Sequence, residues 1–331
     1  MCDVITTVDM HSGGSPMRII TSGIPEIVGK TYKERFEYVT TKLDYVREFL
    51  CYEPRGYRYM TCILPVLPDD EADLGVIFIA ATLYLPMCGE ALTCFARYAV
   101  DKNLVNMTTP ETKIDIQCPC GIVTCHVDCT NGKAGKVRLE SVPCYLHSSD
   151  IQLVLDNDVN VTVDLLYGGA YYVIVSCYEL QKKLSMENFR VLEALSYDVT
   201  VKMRKYVKEK YQEDNRPFIC GTIVRSHVRN SNSSEHFVNV GEMLINRGYC
   251  GSATMSRATL DYFQGHLNIG ESRVYNSIVT NEGTTATVLR TANYGNKKAV
   301  IIGIQGIGFY TGKHEFTFEH SDNLKNGFLV K

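Results

Sequence analysis

The chain has 331 residues, of which 45% are hydrophobic, and a formal net charge of −3 at pH 7. These values are typical of a folded globular protein with room for two domains, and they exclude a fibrous or disordered chain. Basic residues form no stripe and the longest apolar runs are strand-sized, so we expect neither a nucleic-acid partner nor a membrane span. The N-terminal segment lacks the pattern of a secretory signal, which predicts a cytoplasmic protein.

The first 125 residues alternate strands with helices, as apolar periods of 2 and 3.6 indicate. The predicted elements are, in order, two strands around a Gly-rich turn at 3–23, an amphipathic helix at 31–53, strands at 55–68 and 72–84, and a helix from about 90 to 105. His11 lies beside the Gly-rich turn, where we expect it to support the turn by a hydrogen bond rather than to act in catalysis.

A second, strand-rich series follows. Its predicted elements are strands within 113–129, 135–147 and 159–176, a long helix at 185–212, strands at 218–226 and 235–244, a helix within 245–267, and strands within 272–290, 297–312 and 314–320. We predict a first domain at 1–125, to which 309–331 returns, and a second domain at 126–308. The run "YGGAYY" at 167–172 predicts a close approach between backbones.

Thirteen cysteines in a chain without a secretory signal predict reduced thiols rather than a disulfide framework. The "CPC" at 118–120, followed by Cys125 and Cys129, raises the alternative of a metal site. However, the segment alternates as a strand, so successive cysteines point to opposite faces, and no second Cys-x-x-Cys pair follows at zinc-ribbon spacing. We therefore expect no metal there.

Each half contains a Cys-Gly pair where a strand gives way to a helix, at Cys88 and at Cys250. Backbone N–H groups and the helix dipole favour a thiolate at such a position. The alternative for each cysteine is a buried, inert thiol that packs as a small apolar group. The repetition predicts a pseudo-symmetric pair of α/β domains, with one cysteine from each domain at the cleft between them.

Two thiols on opposite faces of a carbon acid are what racemisation without a cofactor requires. One thiolate removes the α-proton, and the opposite thiol delivers a proton to the other face. Backbone N–H groups at the two helix starts suit the developing negative charge on the substrate carboxylate.

Several motifs in a fixed order along nearly the whole chain carry a resemblance to a known family. They are "VDMHSGGSPMRI", "YEPRGYRYM", "MCGEA", "CPCGIVT", "VDLLYGGAYY", "NRGYCGSAT", "GFYTGKHEFTF" and "NGFLV". The chain resembles the proline racemase family, which also contains 4-hydroxyproline epimerases and trans-3-hydroxyproline dehydratases. The resemblance implies two diaminopimelate-epimerase-like α/β domains with the active site in the cleft between them, an amino-acid substrate and no cofactor. The oligomeric state stays open, and a homodimer is the assembly that the family suggests.

By this resemblance, Cys88 and Cys250 match the two catalytic cysteines. Gly89, Gly251 and Ser252 match the positions whose backbone groups hold the substrate carboxylate.

Other positions depart from the family pattern. Glu90 replaces the usual histidine and Asn246 the usual aspartate, and in the family these two side chains contact the substrate's ring nitrogen. Ser15 stands in "GGSP" where the family has Gly-Glu-Pro, "ATLY" replaces an Asn-Glu-Gly-Tyr-like run, and "RGYC" replaces Arg-Ser-Pro-Cys. Either the substrate has changed or catalysis has been lost.

Three functions follow as hypotheses. The first is a racemase or epimerase of proline, hydroxyproline or a related amino acid that uses two cysteines. The second is a trans-L-3-hydroxyproline dehydratase, since "CPCGIVT" and the C-terminal "YTG" resemble eukaryotic enzymes of that type. Those enzymes usually have threonine in place of the second cysteine, so Cys250 favours the racemase or epimerase. The third is a non-catalytic small-molecule binder with a degenerate pocket.

Overall fold

The computed structural model describes residues 4–69, 71–226, 232–242 and 244–330. These residues form two units. The first unit comprises the chain up to Leu139 together with the segment from Gly306 onwards, and the second unit comprises Glu140–Gln305. The sequence placed the division at residue 125. In the structure that position lies inside a β-hairpin of the first unit, and the division falls after Leu139.

The first unit is a mixed sheet with helices packed on it. Its elements are β1 (Val4–Ser12), β2 (Ser15–Ser22), α1 (Tyr32–Lys42), α2 (Asp44–Cys51), β3 (Thr61–Val66), β4 (Leu74–Ala80), β5 (Tyr84–Leu85), α3 (Gly89–Asp101), β6 (Glu111–Cys118), β7 (Gly121–Asp128) and β18 (Phe309–Thr317), with β8 (Val137–Glu140) reaching the division. The sheet has the order β18-β1-β2-β3-β4-β6-β7, in which β2/β3 and β4/β6 are parallel and the other neighbours antiparallel.

Strand β4 is an interior strand of this sheet, between β3 and β6, and it is buried throughout from Gly75 to Ala80. Side chains of α1 and α2 share a core with Ile77 and Ile79, while α3 lies against β1, β2, β3 and β7. A strand covered on both faces needs no polar alternation, which explains the uninterrupted apolar run in its sequence.

The predicted single helix at 31–53 is wrong, because the structure breaks it into α1 and α2 at Leu43. This residue leaves the helical conformation, with φ −117° and ψ 16°. Leu43 is only 4% exposed, and Val46, Phe49 and Leu50 of α2 are buried as well. Tertiary packing of these apolar residues therefore overrides the continuous helical pattern.

The second unit is built in the same way. Its elements are β9 (Tyr145–Val154), β10 (Asn160–Tyr167), β11 (Tyr171–Ser176), α4 (Phe189–Lys210), β12 (Ile219–Arg225), β13 (Ser233–Val240), β14 (Leu244–Ile245), α5 (Gly251–Phe263), β15 (Ser272–Ser277) and β16 (Gly283–Tyr294), with β17 (Lys297–Gly306) reaching the division. The sheet has the order β9-β10-β11-β12-β13-β15-β16-β17, with β11/β12 and β13/β15 parallel.

The internal repeat predicted from the sequence is present in this order of elements. Each unit runs through a hairpin, a helical segment, a second hairpin, a two-residue strand, a helix and a third hairpin, with parallel pairing at corresponding places. The helices α3 and α5 are both 13 residues long, and both begin with the glycine of a Cys-Gly pair. The fold class is therefore α/β with two similar units, as the sequence predicted.

Candidate active site

Cys88 lies at the N-terminal end of α3 in the first unit. It is the N-cap residue, with extended backbone angles of φ −145° and ψ 104°, and its carbonyl accepts the N–H of Leu92 at 3.0 Å. The side chain is 7% exposed. An N-cap residue faces the first N–H groups of the helix, which lack partners within it, so Cys88 lies where a negative charge is stabilised.

Glu90, the second residue of α3, is a buried acid with 1% exposure. The hydroxyl of Ser15, at the start of β2, donates to its Oε1 at 3.2 Å. Burial, followed by the negative charge of Glu90, raises the pKa of Cys94 one turn further along. Two of the departures from the family pattern, Ser15 and Glu90, are thus direct partners.

Cys250 is the N-cap residue of α5 in the second unit. Its carbonyl accepts the N–H of Thr254 at 2.8 Å, and its side chain is 4% exposed. Its backbone differs from that of Cys88, since φ is +48° and ψ is 90°. Positive φ is uncommon for a residue with a side chain and carries a conformational cost of about 1–3 kcal/mol.

Tyr172, near the start of β11, is a residue of the second unit that the sequence analysis missed. Its hydroxyl lies 3.8 Å from the Cys250 sulfur and 3.2 Å from the Ser252 hydroxyl, and it accepts a hydrogen bond from the Cys220 thiol at 3.7 Å. Burial, with neighbouring Cys220 and Cys250, raises the pKa of Tyr172 well above its ordinary value. Tyr172 therefore offers Cys250 a neutral hydroxyl.

The remaining predicted site residues lie beside these cysteines in the chain. Gly89 begins α3, while Gly251 and Ser252 begin α5, and all three are buried. Asn246 follows β14 and is half-buried, with its backbone N–H donating to the Val238 carbonyl at 2.9 Å. The structure thus groups the predicted residues by unit: Cys88, Gly89 and Glu90 in the first, and Asn246, Cys250, Gly251 and Ser252 in the second.

Two structural predictions near these residues are confirmed. Nδ1 of His11 accepts the N–H of Gly14 at 3.3 Å, which is the turn-supporting role expected for it. A Cβ atom on Gly168, in "YGGAYY", would lie 2.5 Å from the Ser256 hydroxyl and 2.8 Å from the Ser252 carbonyl. This glycine therefore permits a close approach between the end of β10 and the first turns of α5.

No disulfide joins any of the twelve cysteines in the described part of the chain. Cys118 ends β6, and Cys125 lies buried in β7. Among the residues that the structure describes, no three His, Cys, Asp or Glu side chains are close enough together to hold a metal ion. Over the same residues, no helix is both long enough and apolar enough to cross a membrane.

Solved structures share this fold. A hydroxyproline epimerase from Agrobacterium vitis superposes with a TM-score of 0.88 at 22% identity, over 99% of this chain and 95% of the other. A probable proline racemase from Agrobacterium radiobacter also has a TM-score of 0.88, at 21% identity, over 98% of this chain and 96% of the other. The two Cys-Gly helix starts thus stand in a fold that racemases and epimerases use.

Sequence comparisons identify the family. The family model described as proline racemase matches residues 7–329. A trans-L-3-hydroxyproline dehydratase from Saccoglossus kowalevskii is 38% identical over 97% of this chain and 100% of its own length. A proline racemase from Acetoanaerobium sticklandii is 32% identical over 98% of both chains. The chain belongs to the proline racemase family.

Proposed function

We propose that this chain is a cofactor-independent amino-acid racemase or epimerase in which Cys88 and Cys250 act as acid and base. In one direction one cysteine takes the α-proton of the substrate, and the other returns a proton to the opposite face. In the reverse direction the two roles exchange. The substrate is proline, hydroxyproline or a related amino acid.

The observation that carries this proposal is the presence of a cysteine at the N-cap of a buried 13-residue helix in each unit. A dehydratase needs one base to remove the α-proton, whereas a racemase needs an acid and a base together. Retention of a cysteine outside any disulfide at both positions supports the reaction that uses two. The first backbone N–H groups of α3 and α5, at Gly89 and Gly251, are the proposed donors to the substrate carboxylate.

The binding of the substrate amine is the point at which this chain differs from the family pattern. Glu90 places a buried carboxylate in the first turn of α3, and Asn246 has an uncharged amide. We propose that Glu90 is the negative partner of the substrate ammonium. A carboxylate has several acceptor sites, so the hydrogen bond from the Ser15 hydroxyl does not by itself exhaust its capacity to accept N–H donors.

A dehydratase is the second candidate, favoured by the 38% identity to the Saccoglossus kowalevskii enzyme over nearly the whole chain. In that reaction Cys88 removes the α-proton of a 3-hydroxylated proline, and the hydroxyl group leaves as water. Under this reading Cys250 is a proton donor or a bystander, and threonine replaces it without loss of activity.

One experiment separates these functions. The full chain is incubated in heavy water with proline, trans-4-hydroxyproline, trans-3-hydroxyproline and acyclic amino acids, and exchange at Cα, inversion and loss of water are followed by NMR. A racemase or epimerase gives Cα exchange with inversion, and a dehydratase gives loss of water from trans-3-hydroxyproline. Absence of exchange with every substrate, in wild type and in the Glu90→His/Asn246→Asp variant, rejects both enzymes and leaves the binder.

We also propose that the protein works in the cytoplasm. The twelve described cysteines form no disulfide, which supports a reducing compartment. Localisation of the tagged full chain by microscopy tests this, and a secretory distribution contradicts it.

A further inference from the structure

A second pair of cysteines in the first unit lies outside the proposed chemistry. The sulfur atoms of Cys118 and Cys120 are 3.4 Å apart. Cys118 ends β6, Cys120 occupies the two-residue turn with Pro119, and Gly121 begins β7 opposite Cys118 in the register. The Cys118 thiol also donates to the Gly121 carbonyl at 3.2 Å. The hairpin therefore holds two thiols side by side.

The two thiols differ in their access to solvent. Cys118 is 2% exposed, whereas Cys120 is half-buried. An accessible thiol backed by a buried second thiol is the arrangement of a redox pair, in which the first reacts with an oxidant and the second resolves the product.

The turn also contacts the segment that leads to the candidate active site. The backbone N–H of Cys120 donates to the Pro86 carbonyl at 3.1 Å, two residues before Cys88. Forming a disulfide brings the two sulfurs from 3.4 Å to about 2.05 Å, which requires the Cys-Pro-Cys backbone to adjust. An adjustment at Cys120 acts directly on its hydrogen bond to Pro86.

We propose that Cys118 and Cys120 form a reversible redox dithiol that hydrogen peroxide converts to a disulfide, and that its closure alters the reactivity of Cys88. The Cys120 thiol loses its proton and the thiolate attacks the peroxide; the O–O bond breaks, Cys120 becomes a sulfenic acid, and the departing hydroxide takes up that proton to leave as one water. The Cys118 sulfur then attacks the Cys120 sulfur, the S–O bond breaks, and a second water leaves. The two thiols together lose two electrons and two protons, and a dithiol reductant reverses the reaction.

The first unit contains a matched control pair. The sulfurs of Cys51 and Cys62 are also 3.4 Å apart, but the two residues are 0% and 1% exposed. Burial raises the pKa of Cys62 well above its ordinary value, and the neighbouring Cys51 adds to this rise. If proximity of sulfurs were sufficient, both pairs would oxidise; if access is required, Cys118 and Cys120 oxidise first.

The test is disulfide mapping of the full chain after brief exposure to a small excess of hydrogen peroxide, with the remaining thiols alkylated. Cys118, Cys120, Cys125 and Cys129 lie on one tryptic peptide, so fragmentation must locate the two residues that escape alkylation. We expect these to be Cys118 and Cys120. The peptide should lose the mass of two hydrogens, and reduction with dithiothreitol should restore it. The Cys120→Ser variant should abolish the product, and Cys125→Ser should retain it.

Three results would overturn the dithiol. The first is a disulfide that includes Cys125 or Cys129, and the second is continued alkylation of both Cys118 and Cys120. The third is oxidation of Cys51 and Cys62 at the same rate.

The effect on Cys88 is tested by its rate of alkylation with iodoacetamide before and after oxidation. We expect a change of about threefold or more, because one hydrogen bond to the preceding segment is disturbed. In Cys120→Ser the peroxide treatment should leave this rate unchanged. The same rate in oxidised and reduced wild type, or a change that persists in Cys120→Ser, would reject the coupling. Any consequence for turnover rests on the proposed function. Disulfide mapping and the alkylation rate of Cys88 need no substrate, so both can be interpreted even if the enzyme assay shows no activity.

Discussion

The two units use the same backbone plan around their helix-capping cysteines but surround them with different chemistry. In each unit, a hydroxyl group on the strand that precedes the first helical segment, β2 or β11, lies 3.2 Å from a side-chain oxygen of the second residue after the cysteine. In the first unit the pair is Ser15 with Glu90, and in the second it is Tyr172 with Ser252. Two residues after Cys88 the side chain is therefore a buried carboxylate, and two residues after Cys250 it carries a hydroxyl group.

This difference indicates that the two thiols are not equivalent. A buried carboxylate opposes a second negative charge nearby and attracts a cation, whereas neutral hydroxyl groups donate hydrogen bonds to a thiolate. We infer that the surroundings of Cys88 favour the substrate amine, and that the reactivity of Cys250 depends on hydrogen bonding from Tyr172.

The largest expected effect comes from removing either thiol. In Cys88→Ser and in Cys250→Ser, turnover should fall by about 100-fold or more, because a serine hydroxyl is a far weaker base than a thiolate. Cys88→Ser should block deprotonation of one enantiomer and Cys250→Ser that of the other. Cα exchange, measured for each enantiomer separately, tests this. If Cys250→Thr keeps full activity while Cys88→Ser is inactive, the protein is a dehydratase.

The role of the carboxylate is tested by Glu90→Gln, which keeps an acceptor for Ser15 and removes the charge. We expect KM to rise by about tenfold or more, since hydrogen bonds to charged groups are worth about 1.5–3 kcal/mol. Steady-state kinetics give KM and kcat separately. Ser15→Ala serves as the control that leaves the carboxylate in place and should have the smaller effect. An unchanged KM in Glu90→Gln contradicts amine binding by this residue.

Gly168 packs closely against α5 and Gly308 against α3, so we expect a larger side chain at either position to lower the free energy of unfolding. Gly168→Ala should destabilise the protein by about 1–3 kcal/mol, because the added Cβ meets atoms of α5. Gly308→Ala should do the same in the first unit, where the Cβ would lie 2.9 Å from Cys94 Cα. Gly135→Ala is the control, since its nearest contact is 3.4 Å. Urea unfolding measures the free energy, and equal values for all three variants would reject the packing argument.

The smallest expected effect is that of Tyr172→Phe, which removes the hydroxyl near Cys250 and retains the ring. Loss of one hydrogen bond is worth about 1 kcal/mol, so we expect about a fivefold decrease in exchange of the enantiomer that Cys250 serves. Exchange of the other enantiomer should stay unchanged, which a general loss of stability would not produce. Tyr171→Phe is the control, because the Tyr171 hydroxyl that it removes lies 2.7 Å from the Tyr145 hydroxyl. Equal losses for both enantiomers would mean that Tyr172 has no specific link to Cys250.

Much of the fold was predictable because it depends on neighbours in the chain. The apolar run of β4 and the helical spacing after Cys88 indicated a strand and then a helix, and the structure has both. The same order at Cys250 indicated the repeat. The break at Leu43 was not predictable, since the apolar period continues through it and only packing against the sheet separates α1 from α2.

For the candidate site, the sequence by itself determined the family, the two cysteines and the positions where substitutions occur. The tertiary structure decided which side chains meet: Ser15 and Glu90 are 75 residues apart in the chain, and Tyr172 and Ser252 are 80 apart. The physical reason is that periodicity reports local backbone geometry, whereas a contact between distant residues depends on how strands are ordered and registered in a sheet. Tyr172 was therefore predictable as a strand residue, but its contact with Cys250 was not.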